Sequence, residues 1–201
     1  MSPNAKSVDL APMTSLFGHT QPVSTLAVSK SFSTILSAST DGVVLLWDLN
    51  RLEFVRKLAS GRAVQCAQIN SVTGDILLCR GQRAALYTLN GDLMFDQNIC
   101  VDPDDYVHSC AFYEGAGNEW LVNTLVFTGH RRGVVNCWRK CVGANGKWNL
   151  ELVKRLDHVD QRKGGERTPG TITALTPMPT GLYTGDEDGK AVSSVLMSSL
   201  R

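Results

Sequence analysis

Sixteen consecutive residues, Thr34 to Leu49 (TILSASTDGVVLLWDL), do most to limit what this chain can fold into. Two apolar runs, Ile35–Leu36 and Val43–Trp47, flank a stretch of small and polar residues from Ser37 to Gly42. The pattern is strand, tight turn, strand. Asp41 sits six residues before Trp47, inside the turn, where a carboxylate can accept bonds from backbone amides and fix the reversal. Gly42 supplies the backbone freedom that such a turn needs. Sixteen residues ahead of Thr34 stands Gly18, followed by His19, and a further apolar strand at Val23–Val28 lies between. With Phe54–Leu58 as a fourth strand, residues 16–60 read as one four-stranded antiparallel unit.

The unit recurs along the chain with its signature residues worn down. In residues 61–98 the strands are Val64–Ile69, Ile76–Cys79, Ala84–Leu89 and Leu93–Phe95, with Asn90–Gly91 as a hairpin turn. Tyr87 follows Trp47 by forty residues and stands where a tryptophan is expected. The third unit, 105–156, opens at Val107–Tyr113, carries an insertion around Trp120–Val122, and resumes at Leu125–Thr128 and Gly133–Trp138. Superposed on the first unit, Trp138 falls on Trp47, Thr128 on Ser37 and Arg132 on Asp41, so the turn carboxylate is missing. His130 follows a glycine, but only eight residues separate it from Trp138, so the pair reads as accidental. Trp148–Leu156 fits an outer strand or a short helix, and 157–170 is the most loop-like stretch. The fourth unit, 170–201, begins at Thr171–Thr176 and repeats the turn at Asp188–Gly189, with Thr184 in the place of Ser37. Six residues on stands Ser194 instead of tryptophan, and the pattern is expected to stop in AVSSVLMSSLR.

The order Gly-His, strand, strand, Asp-Gly, Trp-Asp resembles a WD repeat, which implies an all-β fold. The expected architecture is an incomplete β-propeller of about four blades, each an antiparallel four-stranded sheet, behind a flexible lead-in at residues 1–15. The resemblance implies a hydrogen-bonded chain within the first blade made by His19, Ser37, Asp41 and Trp47. More specific wording, at WDLNRLEFVRKL (47–58), LYTLNGD (86–92), YVHSCAFY (106–113), FTGHRRG (127–133) and LDHV (156–159), is similar to the C-terminal WD repeats of BEACH-domain proteins of the Beige and fungal type. That likeness implies a non-enzymatic scaffold in vesicle trafficking, lysosome-related organelles or selective autophagy. Its partners are other proteins bound through the propeller faces, and upstream BEACH and PH-like modules if the chain is a fragment, as its abrupt end suggests. Its place is cytoplasmic, peripheral on organelle membranes through the parent protein. The alternative is a propeller that binds phosphoinositides or a membrane surface.

Composition narrows the remaining classes. A net charge of +1 across 201 residues gives no footprint for nucleic acid. No apolar run approaches the ~20 residues of a membrane-spanning helix, and 43% hydrophobic residues suit a packed domain. The six cysteines form no Cys-x-x-Cys pair and read as reduced, mostly buried thiols. Catalysis has no motif: nucleophile elbow, His-Glu-x-x-His and a Cys-His-Asp set are all missing. His108 reads as a strand or core residue, and Asp102, Asp104 and Asp105 as a solvated acidic turn. Asp186, Glu187 and Asp188 lack EF-hand spacing, and Gly185–Ala191 is a residue short of a phosphate loop. No cofactor or metal is expected. Arg131, Arg132, Arg139 and Lys140 form a modest basic cluster around the third unit that could meet a partner's acidic groups or a phosphate, with a solvated propeller face as the plainer reading.

Overall fold

The computed structural model of the chain describes residues 11, 13–113, 125–157, 170–178 and 181–194. The lead-in at 1–10, the insertion at Trp120–Val122, the loop at 158–169 and the tail at 195–201 fall outside the described residues. Everything regular in the described residues is strand. The first sheet holds β1 (Val23–Ser29), β2 (Thr34–Ser39), β3 (Val44–Asp48) and β4 (Phe54–Ala59). The second holds β5 (Cys66–Ile69), β6 (Ile76–Arg80), β7 (Arg83–Tyr87) and β8 (Leu93–Asn98). The third holds β9 (Val107–Tyr113), β10 (Leu125–His130), β11 (Val134–Val142) and β12 (Trp148–Asp157), and the fourth β13 (Ile172–Met178), β14 (Gly181–Asp186) and β15 (Ala191–Ser194). Within each sheet the spatial order is the chain order, and every pair is antiparallel.

The middle strands are near-continuous apolar runs because each sheet is buried on both faces. In β6, Ile76 and Leu78 turn toward the first blade, while Leu77 and Cys79 turn toward the third. In β10, Val126 packs toward the second blade, and Leu125 and Phe127 toward Ile172 and Leu182 of the fourth. Three apolar clusters result, one at each junction between neighbouring blades. Period-2 alternation thus splits each strand between two cores.

Side-chain latches reinforce the junctions. The Ser24 hydroxyl donates to the Val64 carbonyl at 2.7 Å, tying β1 to the approach to β5. The Ser109 hydroxyl donates to the Ile172 carbonyl at 2.7 Å, tying β9 to β13. Gly129 lies at that second junction, where a Cβ would collide with Ser109 and Ile172.

At the level of elements one open reading is settled and one expectation is corrected. Trp148–Leu156 is strand, pairing along β11 from Val142↔Trp148 to Val135↔Leu156. The pattern does not stop before a third strand in the fourth blade: Ala191–Ser194 pairs with Leu182–Gly185. Backbone pairing needs no aromatic residue, so the missing tryptophan removed a signal and left the strand.

Candidate functional site

In the first blade, Trp47 is 3% exposed and its indole N–H donates to Ser37 Oγ at 2.8 Å. Ser37 Oγ lies 2.7 Å from His19 Nε2. An indole N–H can only donate, so Ser37 Oγ is its acceptor and links the tryptophan to the imidazole in one relay. His19 Nδ1 is buried and has no hydrogen-bond partner among the described residues. Asp41 stands apart from this relay, because its Oδ1 accepts from the Ser39 hydroxyl and from the Val43 amide at 3.1 Å. These two bonds, in that order, hold its carboxyl below the ordinary value. The lead-in reaches the same spot, with Gly18 so close that a Cβ would lie 2.9 Å from Leu45 and from Trp47.

The third blade contains a longer relay that sequence reasoning missed. The Trp138 indole N–H donates to Thr128 Oγ1 at 2.8 Å, and Thr128 Oγ1 lies 2.9 Å from His130 Nε2. His130 Nδ1 then meets Asp105 Oδ2 at 2.8 Å. His130 does not open a repeat, but it ends β10 fully buried, and its ring does what the ring of His19 does. Asp105 is no solvated turn residue, since it supplies the carboxylate that Arg132 cannot. Burial, partly offset by Asp105, keeps the His130 imidazole below its ordinary pKa. The available signal was the ten-residue step from Thr128 to Trp138, the same as from Ser37 to Trp47.

The four basic residues are not brought together as one patch. Arg131 lies over the Tyr106 ring, 5.6 Å from its centroid, and Arg132 pairs with Asp102, both in the turn between β10 and β11. Arg139 and Lys140 lie six and seven positions beyond Gly133 along β11, about 20 Å away in an extended strand. Lys140 Nζ is 2.5 Å from Asp75 Oδ2 and 5.0 Å from the Trp148 ring. Extended backbone separates what looks clustered in sequence.

Strand topology sorts the connections onto two faces. One face carries the β2–β3, β6–β7, β10–β11 and β14–β15 turns together with the β4–β5 and β8–β9 connections between blades. On it lies a cleft of about 430 Å³ between the second and third blades, lined among others by Arg62, Gln82, Arg83, Asp104, Asp105 and Tyr106. A smaller cleft of about 240 Å³ adjoins it and shares Arg62 and Arg83. The β6–β7 turn between them is stapled from both sides. Gly81 N–H donates to Gln65 Oε1 at 2.6 Å, Val107 N–H to the Gly81 carbonyl at 2.9 Å, and Gln82 Nε2 to the Pro103 carbonyl at 2.6 Å.

The Asp-Gly turn of the first blade sets the position of Arg62. Gly42 has φ +82, and a Cβ there would run into the carbonyl oxygens of Gly61 and Arg62. Gly42→Ala is expected to cost about 1–3 kcal/mol through backbone strain and to displace the 61–62 segment. Urea unfolding reads the first effect, and altered amide shifts at Arg62 read the second.

Among the described residues, two side-chain groups have the spacing to hold a metal ion. Cys66, Cys79 and Cys110 converge from β5, β6 and β9 with their sulfur atoms within 4.8 Å of one another, and Cys100, Asp105 and His130 do the same. The first group lies in the apolar core between the second and third blades. Hydrogen bonds to Cys110, then burial, keep the Cys66 and Cys79 thiols protonated. Burial pushes the Cys100 thiol up to about 12. In the second group both imidazole nitrogens are already engaged in the relay. All six cysteines are free.

Known proteins match this arrangement. A family described as "WD domain, G-beta repeat" matches residues 10–48. Beige protein homolog 1 of Schizosaccharomyces pombe is 29% identical over 90% of the chain, and BEACH domain-containing protein A2 of Arabidopsis thaliana is 36% identical over 62%. Human lysosomal-trafficking regulator is 28% identical over 96%. The chain spans only 4–8% of the length of these relatives. The solved WD40 domain of SCAP from fission yeast superposes with a TM-score of 0.66 at 14% identity, covering 90% of this chain and 44% of that one. Serial antiparallel blades, a Trp-Ser-His relay in the first, and the repeat match make this a WD-repeat β-propeller chain whose homologues over most of its length are BEACH-domain proteins.

Proposed function

We propose that this chain is a non-enzymatic scaffold segment that docks other proteins on the face carrying the inter-blade connections, in the service of vesicle trafficking or selective autophagy. The observation that carries this reading is the pair of adjoining clefts on either side of the β6–β7 turn, the larger between the second and third blades and the smaller between the first and second, edged with charged side chains and flanking stapled backbone. Rigid sheets presenting shaped loop surfaces bind without chemistry of their own. The trafficking role draws on the name of the human relative, and the chain acts on the cytoplasmic side of membranes through its parent protein. The phosphoinositide alternative is disfavoured because Arg131 and Arg132, its natural ligands, are engaged by Tyr106 and Asp102.

Proximity labelling from the parent protein in cells tests the reading. Charge reversal at Arg62, Arg83 and Asp104 should remove a set of labelled proteins that changes at Lys147 and Asp92, on the opposite face, leave in place. Identical sets for both variants would reject the scaffold face. Flotation of the chain with phosphoinositide vesicles, lost on changing Arg131 and Arg132 to serine, would favour the lipid reading instead.

A further inference from the structure

The smaller cleft holds an electrostatic arrangement that the fold itself does not need. Arg80 and Arg83 are direct partners across the two-residue turn of the β6–β7 hairpin. Side chains at such a pair point to the same side with Cβ atoms about 5 Å apart, where like charges oppose folding. Arg83 is compensated: its Nε donates to Asp96 Oδ1 at 2.8 Å and its Nη2 to the Asp96 carbonyl at 2.8 Å. Arg80 is not, for its Nε and Nη2 are buried and make no hydrogen bond among the described residues. Arg62 adds a third guanidinium from the β4–β5 connection, so three cations face one carboxylate in this cleft. Buried guanidinium donors left without an acceptor carry a desolvation cost with nothing to offset it.

We propose that this cleft receives the carboxylate of an aspartate or glutamate side chain from a partner protein, with Arg80 as the anchor and Arg62 at the rim. The proposal rests on the scaffold reading and names the chemistry of the partner. Volume and charge select the occupant. About 240 Å³ is less than the ~300 Å³ at which small-molecule pockets begin, so the cleft suits one or two side chains. A guanidinium presents a planar fork that matches a carboxylate in two bonds. A phosphate dianion would meet Asp96 within the cleft and Asp104 and Asp105 in the adjoining one, whereas a single negative charge satisfies what Arg80 lacks. The stapled turn holds Arg80 in place beforehand, which lowers the ordering cost of binding.

The test is fluorescence polarisation of the chain with a short labelled peptide of alternating glutamate and glycine, beside the same peptide with glutamine for glutamate. The acidic peptide should bind at least about tenfold more tightly than the amide peptide, and the difference should shrink with added salt. Arg80→Met should abolish the difference, and Lys147→Met on the opposite face should keep it. Thermal melting separates a ligand-binding arginine from a structural one: Arg80→Met should leave Tm unchanged or raise it, because a like-charge pair is relieved. Equal binding of the two peptides, unchanged binding by Arg80→Met, or a lowered Tm in that variant each overturns the proposal. So does tighter binding of a phosphoserine peptide than of the glutamate peptide. If the peptides fail while charge reversal on this face still removes labelled partners, the carboxylate cleft falls and the scaffold reading stands. If both fail, both fall.

Discussion

Trp47→Ala is expected to lower the stability of the chain by about 3–5 kcal/mol, the loss typical of deleting a buried aromatic side chain. The indole is 3% exposed and meets the Phe54 ring edge-on, with centroids 5.8 Å apart. Its removal opens a cavity beside Leu45 and takes away the surface on which Gly18 rests. It also leaves Ser37 Oγ without its indole donor, so the Ser37–His19 bond loses one end of its relay. Trp47→Phe refills part of the volume but not the hydrogen bond, and should fall between wild type and alanine. Urea unfolding followed by circular dichroism measures both. A loss for the alanine variant below about 1 kcal/mol, the range of an ordinary substitution, would mean that this tryptophan does not organise the first blade.

The second large effect is expected at His130, whose replacement by alanine should cost on the order of 3 kcal/mol, because a charge-assisted bond is lost and buried partners are left unsatisfied. Asp105 Oδ2 loses its donor, Thr128 loses its acceptor, and Asn136 Nδ2, 3.1 Å from Nε2, loses another. A pH signature separates this role from simple packing. Burial is the larger influence on the ring and depresses its pKa below the ordinary 6.5, with Asp105 pulling it up and Arg155 pushing it down. Between the depressed folded value and 6.5 the unfolded chain binds a proton that the folded chain refuses, so stability rises with pH across that window. Acidification through 6.5 should therefore weaken the wild type until the folded ring itself protonates. His130→Gln should be weaker at neutral pH yet lack that component of the pH dependence. Parallel stability profiles for the two proteins from pH 7.5 to 5.5 would refute the assignment.

How much of this was legible beforehand follows from what each residue needs to declare itself. Trp47, Ser37 and His19 sit at fixed spacings within one repeat, and chain-local spacing can be read without coordinates. The strands of the worn second blade were legible because alternation survives when Tyr87 replaces tryptophan. The relay of the third blade was hidden because its carboxylate comes from a loop before β9, 25 residues from the histidine it serves. No repeat template places an aspartate there. Arg139 and Lys140 read as companions of Arg131 and Arg132 because closeness in sequence was taken for closeness in space, which an extended strand defeats. The Arg80–Arg83 confrontation was readable in principle, since a two-residue turn fixes the pairing, but its consequence depends on which of the two arginines Asp96 reaches.

Because every sheet is a meander of consecutive strands, a ribosome delivering this chain finishes each blade before starting the next. Once Ala59 has emerged, the first blade has all its strands, and Leu36, Ala38 and Val44 await a partner surface that the next stretch supplies. Hydrogen-bonded strand pairs close over short stretches of chain, so the loop-closure entropy that slows many all-β proteins stays small. The exposed face at any moment is that of the newest blade, and it is covered by whatever the ribosome makes next. Vectorial synthesis and the direction of assembly therefore coincide, and the tract at greatest risk of aggregation is always the last one made.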